Sequence, residues 1–249
     1  MALFDLTSKI ALVTGAAQGI GLAIAQALVT QGARVALVDL NSKQVEVAVK
    51  QLRGETLALT ADVSKQEQFA AAIDATIQQW GRLDILVNNA GVVSTTPFQE
   101  ITLAEWERIM TINLTSAFLG CQLAAKSMQA QHFGRIINIA SIAGKQGGGL
   151  FGTTAYATAK AGLIALSKSA ARELAPYHIT VNVIAPGPIA TPLTAKIPPE
   201  AVTRLEQTIP LGRFGQPADI GAGVAYLASD EAAFITGEVL DINGGLLMD

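Results

Sequence analysis

Seven short apolar runs alternate with stretches of helical periodicity from end to end, and no other pattern constrains the fold so strongly. The runs are Ile10–Thr14, Arg34–Asp39, 57–60, Ile85–Asn88, 135–140, 180–184 and Val239–Ile242. Near-continuous apolar strands belong to parallel sheets covered on both faces, and a crossover must return the chain between them. The expected fold is therefore α/β: a Rossmann-type, doubly wound sheet of seven parallel strands with helices on both faces. Its 249 residues suit one domain over 1–249, without linker, low-complexity tract or repeat.

Local signals punctuate the helices. Ser64-x-x-Glu67 and Thr102-x-x-Glu105 have the capping-box pattern, and Pro217 after Gln216 suits the first turn of the last helix. The looser stretches 144–154 and 186–210 follow strands, where open α/β sheets bind ligands. Residues from about 188 to 210 are expected to cover the substrate.

Composition removes several classes of function. The formal charge is −3 and the charged residues are scattered, so the basic stripe of a nucleic-acid binder is missing. Half the residues are hydrophobic, yet no run approaches the roughly 20 apolar residues of a membrane span. Met-Ala-Leu-Phe-Asp at the start has no basic region followed by an apolar block, so no secretory signal is expected. The one cysteine, Cys121, cannot make an intrachain disulfide and reads as a small core residue; the expected location is cytoplasmic. His132 and His178 lack neighbours at ligand spacing, so no protein metal site is expected.

Thr14-Gly-Ala-Ala-Gln-Gly19-Ile-Gly21 joins the first strand to a helix beginning near Gly19. Glycines there let backbone approach a diphosphate, and the helix N-terminus offers free amides. The G-x-x-x-G-x-G spacing alone serves tight packing equally well. Asp39 ends the second strand, 24 residues after Gly15, where an acid accepts hydrogen bonds from an adenosine ribose. A carboxylate there suits the free 2′-hydroxyl of NAD and repels the 2′-phosphate of NADP. Ala16, Ala17, Gln18, Leu40 and Asn41 supply no cation for that phosphate, so NAD is the expected cofactor. A helix or turn cap would also explain Asp39.

Tyr156 and Lys160, four apart, share one face of a helix, with Ser141 upstream. Ionising a tyrosine of pKa about 10 near pH 7 takes roughly 3 units, or about 4 kcal/mol. A neighbouring ammonium and an oxidised nicotinamide are cations able to supply stabilisation of that order. Asn113, a poor helix former, interrupts an apolar-periodic helix over 103–128. A kink with a carbonyl free to bind water would explain it.

The ordered set Thr14-Gly-x-x-x-Gly-Ile-Gly21, Asn88-Asn-Ala-Gly91, Asn113, Ser141, Tyr156-x-x-x-Lys160 and Pro186-Gly187 resembles the classical short-chain dehydrogenase/reductase family over essentially the whole chain. The resemblance implies Tyr156 as general acid/base, with Lys160 holding the nicotinamide ribose and lowering the phenol's pKa. It implies Ser141 on the substrate oxygen and Asn113 on a relay water. Implied cofactor contacts are Gly15, Gln18, Gly19, Ile20 and Gly21, then Asp39 and Leu40, Asp62 and Val63, and Asn89, Ala90 and Gly91. Pro186, Gly187, Ile189 and Thr191 are implied beside the nicotinamide, and Tyr156 and Lys160 touch it too.

The expected activity is NAD-dependent oxidation of a secondary alcohol, or reduction of its ketone, on a polyol, sugar or short hydroxyketone. Ser141 and Tyr156 are 15 apart, two more than is commonest in the family, and members with such spacing include polyol and sugar enzymes. Ser141, Tyr156, Gln146, Phe151, Leu193 and Ser94 are candidates for the substrate pocket, and Lys145 or Lys196 for an anionic group on it. An alternative is an NADPH-dependent 3-oxoacyl-thioester reductase, against which stand Asp39 and the absence of a basic cluster in Gln-Ala-Gln-His-Phe at 129–133. A non-catalytic dinucleotide sensor is the other alternative, although it would have no use for a proton donor. Small residues around the helix at 155–175, with the family resemblance, imply a homotetramer.

Overall fold

Each expected strand is present in the computed structural model, which describes residues 3–149, 152–192 and 194–248. They are β1 (Ile10–Thr14), β2 (Arg34–Asp39), β3 (Thr56–Thr60), β4 (Ile85–Asn88), β5 (Gly134–Ile139), β6 (Ile179–Pro186) and β7 (Val239–Ile242). They pair in the order β3-β2-β1-β4-β5-β6-β7, every pair parallel. The helices are α1 (Gly19–Thr30), α2 (Ser42–Gln51), α3 (Gln66–Trp80), α4 (Leu103–Met110) and α5 (Ser116–Ala130). After them come α6 (Ile142–Gln146), α7 (Thr154–Leu174), α8 (Pro199–Glu206) and α9 (Pro217–Ala228).

Successive side chains on a strand point to opposite faces, and the core divides accordingly. Ala11, Val13, Val35, Leu37, Ile85, Val87 and Ile137 pack beneath α1, α2 and α9, on Ile24, Leu28, Val45, Ile220 and Val224. Their neighbours Leu12, Ala36, Val38, Leu86 and Ile136 pack on α3, α5 and α7 through Phe69, Ile73, Ala124, Met128 and Leu174. The two edge strands depart from the expectation of full burial: β3 and β7 are half-buried, each having a partner on one side only.

Other differences are local. β6 reaches Pro186 because its ladder with β7 continues to Pro186 opposite Ile242. The helix expected over 103–128 is broken into α4, a π-helical turn at Thr111–Thr115, and α5. The Ser64 capping box does not form: Lys65 is the N-cap of α3, and the Ser64 hydroxyl donates instead to Asp62 Oδ1 at 2.6 Å. An aspartate two residues earlier competes for that hydroxyl. At α4 half the box forms, Thr102 Oγ1 accepting from the Glu105 N–H at 3.1 Å, while the Glu105 carboxylate turns elsewhere. The segment beyond β6 is partly helical, with a 3-10 turn at Thr194–Lys196 followed by α8.

The strand order reverses beside β1, whose partners are β2 and β4. A crevice opens there at the carboxyl ends of the strands, and it holds the site.

Candidate active site

The turn from β1 into α1 is built for backbone approach. Gly15 and Gly19 have φ of +63° and +57°, where a side chain is strained. A Cβ on Gly19 would point into the cleft and meet only Thr191 and Pro192, at 3.8 Å or more. Gln18, the N-cap of α1, makes no side-chain cap, so the first-turn amides keep their capacity for an anion. Asn89 Nδ2 donates to Thr14 O at 2.9 Å and Gly15 O at 3.1 Å, while Thr14 Oγ1 accepts from the Asn89 and Ala90 N–H groups. These bonds tie the turn to the end of β4.

Asp39 closes β2 at the same rim. Its carboxylate accepts from the Ala17 N–H and the Asn41 N–H, both at 3.1 Å. Among the described residues lining the cleft, Lys160 is the only lysine or arginine. The acid thus stands at this rim of the cleft with no lysine or arginine beside it among the described lining residues.

Ser141 caps α6, its Oγ accepting from the Ala143 N–H at 3.1 Å. α6 packs on α7 so closely that Gly144 is needed: a Cβ there would lie 2.6 Å from the Lys160 carbonyl carbon. This contact sets α6 against α7, and Ser141 and Tyr156 line the same cleft. Burial raises the Tyr156 pKa above the ordinary phenol value, and Ser141 acts in the opposite sense. The Lys160 ammonium is itself buried, donates to Ile139 O at 2.7 Å, and lies 5.7 Å from the centre of the tyrosine ring. Burial pushes its pKa down to about 8.

Asn113 is buried in the π-helical turn. Its Nδ2 donates to Ile109 O at 3.0 Å, four residues back, and to Val92 O at 2.9 Å; its Oδ1 accepts from the Val92 N–H at 3.1 Å. The helix is therefore interrupted where expected, and the side chain fastens the loop after β4.

These elements bound a cleft of about 570 Å³. Its lining includes every residue assigned above to the cofactor, from Gly15, Gln18, Gly19, Ile20 and Gly21 through Asp39, Leu40, Asp62, Val63, Asn89, Ala90 and Gly91 to Pro186, Gly187, Ile189 and Thr191. Asn113, Ser141, Tyr156 and Lys160 line the same cleft. A smaller cavity of about 190 Å³ adjoins it at Ser141 and includes Gln146, Leu205, Thr208 and Leu246. Phe151, Leu193 and the Lys196 side chain lie outside the described residues. Ser94 lines neither cavity; its hydroxyl donates to Glu105 Oε1. Lys145 is paired with Asp241 and is not presented to a substrate anion.

Sequence reading passed over Gly144, whose reason is a contact with a later helix. It also passed over Thr194, whose Oγ1 accepts from the Thr191 N–H at 2.8 Å and donates to Ile189 O at 2.9 Å. No local pattern marks either residue. Among the described residues no group of three or more His, Cys, Asp or Glu could hold a metal ion, and no helix is long and apolar enough to cross a membrane.

The model of the family described as enoyl-(acyl carrier protein) reductase matches residues 15–247. The chain belongs to the classical short-chain dehydrogenase/reductase family. It is 37% identical to the 3-oxoacyl-[acyl-carrier-protein] reductase FabG of Thermotoga maritima over 246 residues, 98% of this chain and 99% of that one. To FabG of Vibrio cholerae it is 40% identical over 244 residues, again 98% and 99% of the two chains. Among solved structures it is similar to levodione reductase, with a TM-score of 0.91, 35% identity and coverage of 96% of this chain and 97% of that one. Membership makes this short-chain dehydrogenase/reductase an oxidoreductase that binds a nicotinamide dinucleotide.

Proposed function

We propose that this oxidoreductase interconverts a ketone and its secondary alcohol, with Tyr156 moving the proton and NAD(H) as the cofactor. The observation that carries the reading is that Ser141, Tyr156 and Lys160 line one cleft with the glycine turn. A nicotinamide dinucleotide, when bound, supplies or accepts the hydride. The Gly15–Gly21 turn and the α1 N-terminus would hold its diphosphate, Asp39 its adenosine ribose, and Lys160 its nicotinamide ribose. Ser141 Oγ, already accepting from Ala143, has its own proton to give to the substrate oxygen. Tyr156, whose pKa burial raises further above the ordinary phenol value, hands its proton to that oxygen as the carbonyl becomes an alkoxide. Reduction thus begins from the state in which burial leaves the phenol, whereas oxidation must first ionise it.

For the substrate, the names of the relatives support a 3-oxoacyl thioester, set above as the alternative, better than the polyol or sugar expected first. The missing basic cluster at 129–133 weighs against an acidic carrier protein, so a coenzyme-borne thioester is the form to test. The polyol or sugar reading rests on the 15-residue separation of Ser141 and Tyr156. Asp39 supports NAD(H) with either substrate. We extend the proposal to the 188–210 segment as the substrate cover and to a homotetramer in the cytoplasm. The homotetramer is supported by the exposed small residues Ala161, Ala165 and Ser169 on α7.

The test is purified protein with NADH or NADPH and acetoacetyl-coenzyme A, and with NAD or NADP and a polyol, sugar and hydroxyketone panel. Turnover of the thioester with NADH is expected. Strong preference for NADPH would overturn the role given to Asp39, and NADH binding without any turnover would favour the sensor.

A further inference from the structure

Residues 92–97, between β4 and α4, form a strap across the active site. One end is fastened to Asn113 through the Val92 N–H and C=O. At the other end Ser94 O accepts from the Thr153 N–H at 2.9 Å, and Thr96 O accepts from the Thr153 hydroxyl at 2.7 Å. Thr153 is the N-cap of α7, three residues before Tyr156. A threonine there ordinarily turns its oxygen to its own helix amides. Thr153 makes no such cap, and its hydroxyl is given to the strap. The start of the helix that bears the phenol is therefore tied to the strap's carbonyls.

Something must hold those carbonyls in place, and the Glu105 side chain from α4 does so. Its Oε1 accepts from Ser94 Oγ at 2.7 Å and from Thr96 Oγ1 at 2.8 Å, the same two residues whose carbonyls take Thr153. Hydrogen bonds to a carboxylate are short and roughly twice as strong as neutral ones. The two hydroxyls also hold the Glu105 pKa below its ordinary value, so the carboxylate is present throughout the neutral range.

We propose that Glu105 is a positioning residue for Tyr156. It fixes the hydroxyls of Ser94 and Thr96, these fix the strap, and the strap sets the first turn of α7 through Thr153. The proposal rests on the reading of Tyr156 as the proton donor.

The first test needs no substrate: hydrogen exchange, followed by mass spectrometry, on the cofactor-free full chain. Glu105→Ala should speed exchange in a peptide covering 152–158 by about tenfold, with β1 and β4 unchanged. Glu105→Gln, whose amide oxygen can accept from the same hydroxyls, should restore most of the protection. With acetoacetyl-coenzyme A and NADH, Glu105→Ala should lower kcat by about 10- to 100-fold, with the KM for NADH within about twofold. Thr153→Val should behave alike, and the double variant should be no worse than the poorer single one. Unchanged exchange, a loss shared by the glutamine variant, or losses that multiply in the double variant would each overturn the proposal. Tyr156→Phe, measured in parallel, separates the two levels. If it is inactive while Glu105→Ala is normal, only the positioning role fails; if Tyr156→Phe turns over normally, both fail.

Discussion

Gly144 rests on the backbone of Lys160: a methyl group on it would come within 2.6 Å of the Lys160 carbonyl carbon and 2.7 Å of the Ala161 nitrogen. The approach sets the helix that Ser141 caps against the helix that carries Tyr156, and both residues line the cleft. Gly144→Ala must push the helices apart. We expect kcat to fall about 10- to 100-fold from misplacement and stability to fall by about 1–3 kcal/mol. Urea unfolding beside steady-state kinetics checks both, and wild-type values for both would show that the contact does not matter.

Lys160 carries a pH signature in the protein without cofactor. Its folded pKa of about 8 lies below the ordinary 10.5, so the unfolded chain binds more protons between those values. Stability should therefore rise with pH across that window. From pH 7 to 9.5 the contribution is about 2 kcal/mol at 1.36 kcal/mol per unit. Urea unfolding of wild type and Lys160→Met at both pH values isolates it, because the buried Cys121 and Tyr156 titrate in both proteins. An equal change in the two proteins would contradict the assignment.

Asp39 should decide the cofactor. Asp39→Ser removes the charge that opposes a 2′-phosphate and one acceptor for the ribose. NADH should bind roughly tenfold more weakly, equivalent to about 1.4 kcal/mol, and NADPH more tightly than in wild type. Fluorescence titration of both reduced cofactors measures the change. Wild-type protein that binds NADPH more tightly than NADH would refute this role.

Asn113→Ala strips the Ile109 carbonyl and both Val92 backbone groups of their partner. Buried groups left unpaired cost about 1–3 kcal/mol each. Unfolding should show a loss of that order, with faster exchange in the 92–97 strap. Protection equal to wild type would mean that the π-helical turn does not depend on this side chain.

Much of this architecture was legible because buried parallel strands must be apolar along their length; only the edge strands β3 and β7 escaped the rule, as edges have one partner. Asn113 was legible as an anomaly, a polar residue and poor helix former inside an apolar-periodic helix. The glycine turn was legible because close backbone packing and positive φ restrict residue type at fixed offsets, and Asp39 because it ends a strand at the rim of the same cleft. Ser64 misled because Asp62 competes for its hydroxyl within two residues, a contest the capping pattern does not weigh. Gly144 and Glu105 were illegible for the opposite reason. Their partners, Lys160 and the Ser94–Thr96 strap, are set by how helices meet, and no local spacing records that meeting.

Proton delivery by Tyr156 is the central claim, and the most direct measurement is single-turnover reduction of a ketone substrate by wild type and Tyr156→Phe with NADH saturating. Removing the hydroxyl while keeping the ring should slow the chemical step on the order of 10²–10⁴-fold, with NADH binding unchanged. A phenylalanine variant that reduces the ketone at the wild-type rate would contradict the account.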